Sequence, residues 1–208
     1  MRPVPTLCYI TNRQSLPSFA EFSDFLIRAA KAAIDLVQIR EKDLDARTLI
    51  GLASTALGAA QGCCSRIVIN DRLDVALAAG AAGVHLGTQS LSASVARRIV
   101  PPGFLVGVSC HSMEEAARAE AAGADYVLLG PIFETPSKLA YGPPLGLATL
   151  ANVAHNVKLP VLALGGITMQ RVKLCMEAGA SGIAGIRIFQ ECDSIEDRAR
   201  ELRAELQP

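Results

Sequence analysis

The sequence has few aromatic residues, no net charge, no paired cysteine motif and no long apolar run. Aromatics make up 4% of the 208 residues, so the hydrophobic half of the chain is mostly aliphatic. A core of Ala, Val, Leu and Ile suits buried strands and the helices that cover them. Lys plus Arg total 20, and Asp plus Glu total 20. That balance argues against a general nucleic-acid or membrane-surface binder, though it leaves room for a local basic pocket. The six cysteines are Cys8, Cys63, Cys64, Cys110, Cys175 and Cys192, and no two are spaced CxxC. Cys63 and Cys64 are adjacent, a poor spacing for two ligands of one tetrahedral metal. The six read as free thiols in a reducing compartment. No secretory apolar segment opens the chain, and no run reaches the roughly 18 residues of a membrane span. A soluble cytoplasmic protein is expected.

Against these absences stands one repeated stretch. Ala79-Gly80-Ala81-Ala82-Gly83-Val84 runs into His85-Leu86-Gly87, Ala122-Gly123-Ala124-Asp125-Tyr126-Val127 into Leu128-Leu129-Gly130, and Ala178-Gly179-Ala180-Ser181-Gly182-Ile183 into Ala184-Gly185-Ile186. Each copy follows an Ala-rich stretch with helical spacing and ends in an apolar run. Gly at a helix end can take the left-handed conformation that closes the last turn. The run after it reads as a strand buried on both faces.

Repetition of helix-to-strand junctions predicts a single-domain (β/α)8 TIM barrel over residues 1–208, near the lower limit of roughly 200 residues for that fold. Expected strands are 7–11, 36–40, 66–70, 83–87, 104–109, 126–130, 161–164 and 183–188. Ser18, Asp45, Ser112 and Thr168 are the expected helix N-caps, and Ile195 to Leu206 closes the chain as the eighth helix. An open doubly wound sheet fits less well, because eight units leave no spare edge strand and no GxGxxG follows the first strand.

In such a barrel, polar residues at the strand C-terminal ends face the active site. Strand two ends Gln38-Ile39-Arg40-Glu41-Lys42, and period-two alternation puts Gln38 and Arg40 on one face. A Gln, an Arg fork and a Lys point charge suit a phosphorylated substrate; solvated charges at an exposed strand end are the plainer alternative. Asn70-Asp71 suits a divalent cation held by oxygen, or Asp71 simply caps the next helix. Ser109 is a hydroxyl at the mouth, and His111 is an acid–base group or a turn histidine. His85 lies within a strand, and His155 lies on a helix surface. The loop from Pro131 to Pro144, the longest in the chain, carries Thr135, Ser137 and Lys138 and could act as a lid. Gly165-Gly166 before a helix N-terminus lets backbone N–H groups approach an anion, with Ile186-Arg187 at the next strand end.

Taken in order, Gln-Ile-Arg-Glu-Lys at 38–42, Asn70-Asp71, Gly-Val-His-Leu-Gly at 83–87, Gly-Val-Ser at 107–109, Gly130-Pro131-Ile132-Phe133, Thr135 with Lys138, and Leu164-Gly165-Gly166-Ile167 resemble the thiamine phosphate synthase/TenI family over nearly the whole chain. The resemblance implies a (β/α)8 barrel acting in thiamine biosynthesis. In its synthases a hydroxymethylpyrimidine diphosphate is joined to a thiazole phosphate and pyrophosphate is released. Carried over, Gln38, Arg40, Lys42, Asn70 and Lys138 would hold the pyrimidine diphosphate, with Ser109 near the pyrimidine. Thr135, Ser137, Gly165, Gly166 and the Ile186-Arg187 corner would hold the thiazole phosphate, and Asp71 would bind Mg²⁺.

Two positions depart from the synthase pattern. Ser90 stands where a second Mg²⁺-binding Asp is expected, and Arg187 where a Ser is expected. The segment 109–115 and the Phe133-Glu134-Thr135 loop resemble the TenI branch. Some of its members aromatise a carboxythiazole phosphate tautomer, with a His at the position of His111 moving the proton. That reaction needs an acid–base group and a phosphate site but no metal. The resemblance therefore favours a TenI-type thiazole tautomerase, with His111, Ser109 and Lys138 as its catalytic set. The alternatives are a Mg²⁺-dependent synthase and a non-catalytic regulatory barrel that binds a phosphate ligand. Expected partners are small phosphorylated molecules, not nucleic acid or membrane; a homodimer is compatible with the sequence.

Overall fold

The computed structural model describes residues 7–135 and 143–206. Eight parallel strands close into a barrel in sequential order. They are β1 Leu7–Ile10, β2 Leu36–Ile39, β3 Arg66–Asn70, β4 Gly83–Leu86, β5 Leu105–Cys110, β6 Tyr126–Leu129, β7 Val161–Leu164 and β8 Gly182–Gly185. Between and after them run α1 Phe19–Lys31, α2 Ala46–Ala59, α3 Leu73–Ala79, α4 Ala93–Ile99, α5 Met113–Ala121, α6 Gly146–Asn156, α7 Met169–Glu177, α8 Arg187–Gln190 and α9 Ile195–Glu205. A 3-10 turn, Arg13–Ser15, follows β1. Closure is completed by β8 on β1, where Cys8 faces Ala184.

The helices start where short polar side chains take up orphan N–H groups. Ser18 accepts from Glu21 N–H at 3.1 Å, Asp45 from Thr48 N–H at 2.8 Å and Ser112 from Glu115 N–H at 3.2 Å. Thr168 holds the N-cap position of α7 with extended backbone, but its side chain makes no capping bond. The repeated junctions behave as their glycines require: Gly80, Gly123 and Gly179 have φ of 69°, 81° and 89°.

Two apolar layers result. Inside the barrel, Cys8, Ile10, Leu36, Val68, Leu128 and Leu162 pack together. The opposite strand faces meet the helices in a second, larger cluster that includes Val37, Ile39, Ile67, Leu26, Leu52 and Val153. Strands buried on both sides explain why they read as continuous apolar runs.

The largest departure from the sequence reading is at the eighth strand. The barrel needs only four residues there, and the chain turns at Ile186 into the short helix α8. Ile188 and Phe189, adjacent in sequence, are both buried in the helical layer. A strand would have sent them to opposite faces. All six cysteines are free; Cys8, Cys110 and Cys175 are buried, and Cys63 and Cys64 are exposed. Among the described residues, no helix is long and apolar enough to cross a membrane.

Candidate active site

Parallel strands in a closed barrel put all their C-terminal ends on one side. Arg40, Asn70, Ser109, Gly166 and Ile186 all lie at or just after such ends, so they ring one mouth. Gln38 sits one layer below, 1% exposed, and its Nε2 has no hydrogen-bond partner among the described residues. It is thus a buried donor rather than a rim residue. Arg40 is half-buried, and no hydrogen bond or ion pair with a described residue holds its guanidinium. Its backbone N–H donates to Thr11 Oγ1 at 2.9 Å.

The segment after β2 is organised by Glu41, which the sequence reading passed over. Glu41 is 5% exposed and accepts from Thr11 Oγ1 at 2.5 Å and from Arg13 N–H at 3.1 Å. Burial raises its pKa, opposed by these hydrogen bonds and by Arg13. Glu41 thereby ties the end of β2 to the loop after β1, with Arg40 and Lys42 on either side of it. Lys42 is exposed. Lys42, Asn70, Asp71 and Arg72 line a cavity of about 240 Å³ with Ile39, Glu41, Leu44 and Leu49.

Asp71 has φ of 65°, the one non-glycine in the left-handed region among the described residues. A non-Gly residue there invites a functional explanation, although Asp tolerates it better than most. Asp71 does not cap α3, because the N-cap is Arg72. Ser90 Oγ accepts from Gly87 N–H at 2.8 Å and so closes the loop after β4. Among the described residues, no group of three or more His, Cys, Asp or Glu comes together as a metal-ligand cluster.

Across the mouth, His111 Nδ1 contacts the Gly130 carbonyl oxygen at the end of β6. A carbonyl only accepts, so Nδ1 is the donor of this contact. The His111 backbone N–H donates to Glu115 Oε2 at 2.6 Å. Ser109 Oγ lies 2.9 Å from His85 Nε2, and His85 Nδ1 lies 3.3 Å from Tyr126 Oη. His85 is 2% exposed; desolvation and then the charge of Arg40 hold its pKa down to about 3. The sequence offered no sign of this contact, since only the barrel brings β4, β5 and β6 together.

The β7 end is built by Gly165 and Gly166, with φ of 95° and 64°. A Cβ on Gly166 would come within 2.5 Å of the Glu134 carbonyl oxygen. The tight approach seats the β7 loop against the β6 loop. Arg171 on α7 clamps both: Nη1 donates to Gly166 O at 2.7 Å, and the guanidinium lies 4.6 Å from the Phe133 ring centroid. Thr135 is half-buried in the same β6 loop. Ser137 and Lys138 lie outside the described residues. Arg187 does not end a strand; it opens α8 and is exposed, while Ile186 is half-buried against the interior cluster.

Comparison with known proteins agrees with this architecture. A family model described as thiamine monophosphate synthase matches residues 7–189. A thiamine-phosphate synthase of Methanoculleus marisnigri is 42% identical over 195 residues, covering 94% of this chain and 92% of the relative. One from a Roseiflexus species is 39% identical over 195 residues, covering 94% and 82%. The solved structure of thiamine phosphate pyrophosphorylase from Pyrococcus furiosus superposes with a TM-score of 0.85 at 30% identity, covering 97% of this chain and 95% of that one. With the match spanning most of the barrel, the chain belongs to the thiamine monophosphate synthase family.

Proposed function

We propose that the chain is a thiamine phosphate synthase. It would join hydroxymethylpyrimidine diphosphate to thiazole phosphate and release pyrophosphate. The observation that carries the reading is the cavity beside the mouth, where Lys42 stands with Asn70, Asp71 and Arg72, the last paired to Asp74. Cations and oxygen ligands at one spot suit a diphosphate and its metal. Arg40 and the unpartnered Gln38 amide add donors on the same side of the barrel, and a ligand acceptor would satisfy the latter.

The reaction breaks the bond between the pyrimidine methylene carbon and a diphosphate oxygen, and that electron pair leaves with the pyrophosphate. The thiazole nitrogen supplies the pair for the new C–N bond. Lys42, Arg40 and Lys138 stabilise the charge growing on the leaving oxygens. Ser109 meets the pyrimidine ring. The Gly165-Gly166 backbone and Thr135, with Ser137, hold the thiazole phosphate and so fix the attacking nitrogen.

The residues present fit Mg²⁺ only in company with the substrate. Asp71 is the single carboxylate of the expected pair, and Mg²⁺ readily takes one or two carboxylates plus phosphate oxygens. A bound Mg²⁺ would neutralise diphosphate charge.

The preference for a thiazole tautomerase gives way here. The Methanoculleus and Roseiflexus relatives carry the synthase name. His111, on which the isomerase reading rests, has a further role as a tie between the β5 and β6 ends.

Incubating the purified protein with both substrates and Mg²⁺ should yield thiamine phosphate, detected after oxidation to its fluorescent thiochrome derivative. Lys138→Ala should slow it more than His111→Gln. If the protein makes no thiamine phosphate but aromatises the carboxythiazole tautomer in a His111-dependent way, the tautomerase reading replaces this one.

A further inference from the structure

A hydrogen-bonded chain crosses the barrel interior from β6 through β4 to β5. Tyr126 and His85 are 1% and 2% exposed, and their ring centroids lie 5.7 Å apart. The register explains how they meet. Gly107 pairs with His85 on one side and with Tyr126 on the other. A Cβ on Gly107 would run into the Tyr126 phenol and His85 Nδ1. A glycine in the middle of β5 therefore makes room for the contact. Ser109 follows two residues later on the same face, half-buried at the mouth.

The direction of the chain can be deduced. His85 is buried, and its ring partners are two hydroxyls rather than a carboxylate, so nothing offsets the cost of charging the ring and it is neutral. A neutral imidazole donates from one nitrogen and accepts at the other. Tyr126 Oη has His85 Nδ1 as its hydrogen-bond partner among the described residues. Of its ionisable neighbours Cys8, Arg66 and Asp125, Arg66 offers only donors, and neither Cys8 nor Asp125 makes a hydrogen bond to it among the described residues. A buried hydroxyl hydrogen needs an acceptor, so the phenol donates to Nδ1. The ring proton is then on Nε2, and Nε2–H donates to Ser109 Oγ. That leaves the Ser109 hydrogen free to point into the mouth. The reverse direction would strand the phenol hydrogen in the apolar interior and turn the Ser109 hydrogen inward.

We propose that Tyr126 and His85 act as positioning residues that make Ser109 a hydrogen-bond donor to the substrate, selecting a ring with an acceptor nitrogen facing β5. The ligand part rests on the synthase reading, with an aminopyrimidine as the ring. The direction of the chain does not.

Nitrogen-15 NMR of the unliganded protein with labelled histidine tests the direction, with His85 assigned by comparison with His85→Gln. The expected result is a neutral ring protonated on Nε2 in the wild type, and a shift towards Nδ1 protonation in Tyr126→Phe, which removes only the hydroxyl. An Nδ1-protonated wild type would overturn the proposal.

Steady-state kinetics test the consequence. His85→Leu should raise KM for the pyrimidine diphosphate about 3- to 10-fold, the size of one hydrogen bond, with KM for the thiazole phosphate unmoved. His85→Gln keeps an amide N–H for Ser109 and an oxygen for Tyr126, so it should restore most of the loss. Ser109→Ala combined with His85→Leu should be no worse than Ser109→Ala alone. Additive losses, or a His85→Leu variant with wild-type KM, would overturn the positioning role. A wild type that makes no thiamine phosphate sinks the synthase reading; the NMR result then still decides the direction of the chain.

Discussion

Acid should unfold this barrel through His85. The imidazole is 2% exposed, and burial with the nearby Arg40 charge holds its pKa down to about 3, against an ordinary value near 6.5. Below pH 6.5 the unfolded chain takes up a proton at this site that the folded chain refuses. The unfolded state then binds more protons, so stability falls as pH falls. The loss accumulates at about 1.4 kcal/mol per pH unit and stops near pH 3, where the folded imidazole itself titrates. At pH 5 the chain is about 1.5 units below the unfolded value, so His85 alone removes roughly 2 kcal/mol relative to pH 7.5. That is a large part of the 5–15 kcal/mol typical of a folded domain. Other groups titrate over the same range, so the assay is a difference. Urea unfolding of the wild type and of His85→Gln is compared at pH 7.5 and pH 5. The wild type should lose about 2 kcal/mol more than the variant between the two pH values. Parallel losses would show that His85 is not held neutral in the fold.

Two further outcomes follow from single residues. Ser90→Asp should tighten Mg²⁺ binding in calorimetry without diphosphate, because it adds a carboxylate while keeping an oxygen to accept from Gly87 N–H; tight Mg²⁺ binding to the unliganded wild type would contradict this. Gly166→Ala should lower stability by about 1–2 kcal/mol for the left-handed backbone alone, with a further loss from the clash at the Glu134 carbonyl. It should also raise KM for the thiazole phosphate, and an unchanged Tm would refute it.

How much of this was legible depended on the range of the cause. The β3 and β7 boundaries match the sequence reading, because turn residues and apolar runs mark them locally. The caps at Ser18, Asp45 and Ser112 are equally local. The Ile183-to-Ile188 run misled because a short buried apolar segment looks the same as strand or helix. Arg187 was consequently assigned to a strand end that does not exist. His85 was visible only as a strand histidine. Its partners come from the two strands that follow, and neither period nor propensity encodes which side chains a glycine at 107 allows to touch.

Glu41 shows the same limit from the other side. In the sequence it sits between two cations and reads as one more charge at a strand end. In the fold it is the anchored member of the three. Its carboxylate takes the Thr11 hydroxyl and the Arg13 N–H, and Thr11 in turn accepts from the backbone of Arg40. Arg13 also pairs with Asp43, beyond Lys42. The chain on both sides of Arg40 and Lys42 is therefore pinned to the β1 loop. The two cations themselves make no ion pair with a described residue. A buried carboxylate is an unfavourable way to gain stability, and burial does raise the pKa of this one. It makes physical sense as a device that fixes backbone while leaving neighbouring charges unpaired. Charges held in place before a ligand arrives need little reorganisation when it binds.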